Sequence, residues 1–177
     1  AHAAARPKAV VALLPDEPPA PPGTVPQPAD ALVDAGGLPE VLGFLDGHPQ
    51  LALGMLSATQ SGYSQEQALL DITQGSRTSL STYRPKSPPA LRLLDDGRRG
   101  LIVDWLAAVM RAETAPAPIV PGLLASSVPG GVGYVGIRGQ PNLEAIAAAD
   151  RDAVVRGLSL GTRDTVAERT GELLARH

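Results

Sequence analysis

Ala9-Val10-Val11-Ala12-Leu13-Leu14, followed at once by Pro15-Asp16, is the stretch on which the fold class turns. Its apolar and β-branched side chains run without polar alternation, the pattern of a strand covered on both faces, and Pro15 ends it. A central parallel strand is therefore expected at 9–14. Residues 15–28 hold seven prolines, each removing a backbone donor and turning its predecessor away from helix, so a long loop must leave the strand's carboxyl end. Helical patterning follows over 29–35 and 38–46, divided by Gly36-Gly37, and a second buried strand is expected at 51–56.

Downstream, Ser64 with Gln67 three residues on forms a capping box for a helix over 64–74, with Ala68, Leu69 and Ile72 facing the core and Gly75 as the stop. A short strand is expected at 90–94 and a turn at Asp95-Asp96-Gly97. Leu101, Trp105, Leu106, Val109 and Met110 recur at helical spacing, which predicts an amphipathic helix over 101–113 with Arg111 and Glu113 outward. Residues 133–137, 143–149 and 153–160 read as short strands of an antiparallel meander. Thr165 and Glu168 make a second capping box for a closing helix over 164–176. The expectation is one α/β domain over 1–177, a layered, mainly parallel sheet flanked by helices with the meander near its C-terminus, either whole or the front portion of a longer protein.

The chain has 177 residues, 44% of them hydrophobic, enough for a core. Its net charge is −3 and its basic residues, all arginine except Lys8 and Lys86, are scattered rather than striped, so no row of phosphates is matched and nucleic acid is not an expected partner. Cysteine is absent, which removes disulfides and thiolate chemistry. Asp104 interrupts the most apolar run, 101–110, and no transmembrane segment is expected. Ala1-His2-Ala3-Ala4-Ala5 fits the remainder beside a small-residue signal-peptidase site as well as an ordinary chain start; the reading adopted is an extracytoplasmic or secreted protein.

Two places could carry chemistry. Asp16 stands just beyond the carboxyl end of a buried strand, where open α/β sheets bind ligands, and could hold a divalent cation; it could equally be a solvated turn residue. Thr59 and Ser61 lie between a predicted strand and a capped helix, beside unpaired N–H groups and the positive end of the helix dipole, a setting for an anion or an attacking oxygen. Loops 15–28 and 57–63 should converge at one sheet edge, placing Asp16, Thr59 and Ser61 in one pocket, unless both loops merely cover that edge. Gly131-x-Gly133-x-x-Gly136 has the spacing of a dinucleotide fingerprint but enters a strand instead of leaving one, so a close-packed bend is the better reading.

The order strand, Asp16, helical stretch, Thr59 or Ser61 at a helix start, then Asp71-Ile72-Thr73-Gln74-Gly75-Ser76-Arg77, resembles the front part of the alkaline phosphatase superfamily over residues 9–85. The resemblance implies Asp16 as a metal ligand and Thr59 or Ser61 as the nucleophile. Gln74 interrupts the usual Thr-Gly adjacency. The family also needs later Asp and His ligands for its two-metal clamp, whereas no histidine lies between His48 and His177. The expected function is thus a non-catalytic or incomplete domain of that type. One alternative is a metal-dependent phosphoester or sulfoester hydrolase, with Asp16 as ligand and Thr59 as nucleophile, its divalent metal site completed by residues outside this chain or by carboxylates such as Asp71 and Asp104. The other is a module binding a small anionic ligand or a protein through residues 15–28 and 129–136.

Overall fold

A computed structural model describes residues 64–176, all within one compact unit. The strands expected at 9–14 and 51–56 and the helices at 29–46 lie outside the described residues. Helix α1, Gln65–Gln74, is set by local signals at both ends. The Ser64 hydroxyl accepts the Gln67 N–H at 3.3 Å, and Gly75, at φ 63, turns left-handed so that its N–H reaches the Ile72 carbonyl. The capping box is only half formed, because the Gln67 side chain donates to Asp71 instead. Leu69, Leu70 and Thr73 are buried, and Ala68 and Ile72 are half-buried.

Strands β1, Arg92–Asp95, and β2, Gly100–Val103, form an antiparallel hairpin in which Leu94 faces Leu101 and Asp95 faces Gly100. Its turn is the expected Asp95-Asp96-Gly97: the Asp95 carboxylate takes the Gly97 N–H, and Asp96 takes those of Arg98 and Arg99. The helix expected from Leu101 begins later, as α2, Trp105–Ala112. β2 alternates instead, Gly100 and Ile102 in and Leu101 out, and Asp104 at φ 63 breaks the backbone between strand and helix. The helix is also rotated from its expected face. Arg111 is 3% exposed, while Leu106 and Met110 are 70% and 59% exposed.

After the short helix α3, Leu123–Ser127, the expected meander is replaced by two different pairings. β3, Gly133–Ile137, runs parallel to β5, Gly157–Gly161, from Gly133 beside Gly157 to Ile137 beside Gly161. β4, Val154–Val155, joins the other sheet, antiparallel to β2. Residues 143–148 coil as a 3-10 helix that buries Ala145, Ile146 and Ala148; a run of small apolar residues has no period that separates such a coil from a strand. Arg156 alone separates β4 from β5.

Helix α4, Val166–Arg176, follows a 3-10 turn at Arg163–Thr165. Thr165 forms no cap here; its hydroxyl donates to the Thr162 carbonyl and accepts from Arg169 Nε. Arg169 spreads its fork over the carbonyls of Gly136, Ser159 and Thr162 at 2.6–2.9 Å, tying α4 to both strands of the parallel pair. The main core gathers Leu69, Leu91, Ile102, Trp105, Ile146 and Val155. Ile102, Ile146 and Val155 are at most 2% exposed, each side chain contributing about 1.5–3 kcal/mol by burial.

Candidate functional site

The hairpin turn, the head of β5 and the last turn of α4 enclose a groove of about 690 Å³. Arg98 and Arg99 line it from the turn, Arg156 from the joint between β4 and β5, and Arg176 from α4, with Ser159 and Leu173 between them. The turn's backbone donors are already used by Asp96, whose carboxyl is held below its ordinary value by the Arg98 and Arg99 N–H bonds. The charged residues that line the groove are arginines, with no carboxylate among its described lining residues.

Arg156 is the most firmly placed of these cations. Its Nη2 lies 2.9 Å from Asp150 Oδ2, and the Asp150 side chain is 3% exposed. Asp150 Oδ1 is fixed in turn by the N–H groups of Asp152 and Val154, both at 3.0 Å. Arg176 is paired with Glu172 at 3.2 Å on the same exposed helix face.

A second polar cluster sits between α1 and α2. Asp71 Oδ1 accepts from Gln67 Nε2 at 2.8 Å and from Gln74 Nε2 at 2.9 Å. Asp71 Oδ2 is buried without a hydrogen-bond partner among the described residues. Burial pushes this carboxyl up to about 6, against the pull of Arg77, Arg111 and the Gln74 bond. Gln74 also reaches the Tyr83 hydroxyl and the Ser76 carbonyl. The Arg111 guanidinium lies 3.9 Å from the Tyr83 ring centroid and donates to the carbonyls of Pro85 and Lys86. Its role is to strap the 75–90 segment across the two helices.

Asp16, Thr59 and Ser61, and with them the expected convergence of loops 15–28 and 57–63, lie outside the described residues. Asp104 sits at the start of α2, and Asp71 is engaged by the two glutamines. Among the described residues, no three His, Cys, Asp or Glu side chains are gathered as a metal ion would need, and no helix is long and apolar enough to cross a membrane. The groove arginines lie up to 78 positions apart, and no spacing in the sequence announces them. The local signal was the pair Arg98-Arg99 directly after a predicted turn. Comparisons with protein-family models, with curated proteins and with solved structures found no match.

Proposed function

We propose that the chain is a binding domain whose arginine-walled groove takes a small anionic ligand. The observation that carries this reading is the convergence of Arg98, Arg99, Arg156 and Arg176 on one concavity with no acid among its described lining residues. Guanidinium stays charged at every physiological pH and presents a donor fork that matches carboxylate and phosphate oxygens. Isothermal titration of the chain with inorganic phosphate tests it. Binding should weaken as salt rises, and the Arg98→Ala/Arg99→Ala double variant should lose about tenfold or more, since each tenfold corresponds to only about 1.4 kcal/mol. Unchanged affinity in that variant would remove the groove from consideration.

A second reading keeps the layered, mainly parallel α/β sheet and the similarity to the front part of the alkaline phosphatase superfamily, as a non-catalytic or incomplete domain. What supports it is α1, capped by Ser64 three residues after Ser61 in the sequence and closed by Gly75, in the place the resemblance reserves for the helix behind the nucleophile. Incubation with a generic phosphomonoester plus zinc, magnesium or manganese should give no turnover. Robust hydrolysis abolished by Thr59→Ala or Ser61→Ala would replace this reading with the metal-dependent hydrolase, Asp16 then serving as a ligand.

A further inference from the structure

Two glycines of the Gly131-x-Gly133-x-x-Gly136 pattern, Gly131 and Gly133, have a physical use at the groove. A Cβ built on Gly131 would lie 2.6 Å from Arg156 Cδ and 3.2 Å from its Cγ, and one on Gly133 would overlap Leu173. The first glycine thus lets the Arg156 stem cross β3's entry. The second lets α4 settle close enough for Leu173 and Arg176 to form a groove wall. Arg156 is held from two sides, its stem by the Gly131 backbone and its guanidinium by the buried Asp150 carboxylate. That contact is an ion pair off the line of an aligned hydrogen bond, and the Arg156 side chain stays 56% exposed, so its donor fork remains available to a ligand.

Resting on the anion-binding reading above, we propose that Asp150 and Gly131 make Arg156 the selecting guanidinium of the groove, and that the ligand is a tetrahedral oxyanion, the phosphate group of a small molecule. Arginines line the groove from three separate places: the hairpin turn, the joint between β4 and β5, and the end of α4. A planar carboxylate presents two oxygens in one plane and satisfies one fork; a phosphate presents oxygens in several directions and can answer several forks at once. Asp150 is a positioning residue here, and its two possible roles have opposite signs. If it only adds negative charge beside the site, its neutralisation raises anion affinity. If it orients Arg156, neutralisation lowers that affinity.

The experiment is isothermal titration of the full chain, at fixed ionic strength, with inorganic phosphate, pyrophosphate and malonate. Alongside the wild type it uses Arg156→Lys and Asp150→Asn, each checked for folding by circular dichroism. Asparagine retains an oxygen for the Asp152 and Val154 N–H groups, so the turn should persist. Expected are phosphate and pyrophosphate binding with malonate about tenfold weaker, a loss of about tenfold in Arg156→Lys, which keeps the charge but not the fork, and a loss of about three- to tenfold in Asp150→Asn. If the wild type binds none of the three anions, the anion-binding reading falls and takes this inference with it. If it binds malonate as well as phosphate, or if Asp150→Asn binds as tightly as wild type or tighter, the inference alone falls. Should Asp150→Asn fail to fold, undiminished affinity in Arg156→Lys overturns it just as directly.

Discussion

Replacing Asp71 by asparagine should change how the protein's stability responds to pH. The folded state raises this carboxyl from its ordinary 3.8 to about 6, burial being the main cause, so the folded protein keeps the proton that the unfolded chain releases. The resulting stabilisation is fully present below the unfolded value and is lost as pH rises through the folded one. At 1.36 kcal/mol per pH unit, the gap between 3.8 and about 6 would be worth about 3 kcal/mol at a sealed site. Asp71 is only half-buried, and solvent screening reduces this to about 1–1.5 kcal/mol. The asparagine side chain is nearly isosteric, can still accept from Gln67 and Gln74, and has no proton to lose. Urea denaturation of both proteins, followed by circular dichroism between pH 4 and pH 7, isolates the effect, because all other carboxylates and the histidines cancel in the difference. The variant should gain about 1–1.5 kcal/mol on the wild type across that range. A difference that stays flat with pH, or that moves the other way, would refute the account of Asp71 as a half-buried acid of α1 whose carboxyl is raised by burial.

Asn142→Ala should cost about 2–4 kcal/mol in chemical denaturation, because its amide joins the Ile137 N–H and carbonyl, the Gln140 carbonyl and the Tyr134 hydroxyl, and alanine would also have to hold φ 49. Gly136→Ala should be similarly destabilising, since its new Cβ would overlap Asn142 Oδ1 and lie 2.5 Å from Tyr134; a melting temperature unchanged within error would contradict that packing. Arg111→Ala should cost about 2–4 kcal/mol through the lost Tyr83 contact and two abandoned carbonyls. Leu106→Gln and Met110→Gln should stay within about 0.5 kcal/mol of wild type, and the reverse ranking would mean that α2 presents the face its sequence suggests.

Legibility in the sequence followed how local each determinant is. Ser64, Gly75 and Asp95-Asp96-Gly97 act through atoms a few residues away, and there the expected helix and turn match the structure. The face of α2 could not be read the same way. Arg111 is buried because the carbonyls of Pro85 and Lys86, more than 20 positions upstream, receive its guanidinium, and an arginine counted as outward carries no sign of that. The parallel partnership of β3 with β5 spans another sheet's strand and a 3-10 helix, so proximity in sequence pointed to hairpins that do not form. The groove is the extreme case, since its cations converge only once hairpin, strand and helix are packed. Asp16, Thr59 and Ser61 stay expectations from residue order alone.

The single-residue joint at Arg156 has a consequence for how this part of the chain comes apart. Val155 is paired into the three-stranded sheet and Gly157 into the two-stranded one, so neither can peel away without pulling on the other across one residue. Independent local opening is then disfavoured, and the two sheets should behave as one cooperative unit in hydrogen exchange. The amide of Ile102, bonded to the Ala153 carbonyl, and that of Arg138, bonded to the Gly161 carbonyl, report on opposite sides of the joint. Their protection should rise and fall together as denaturant is added, and occupation of the groove should slow both.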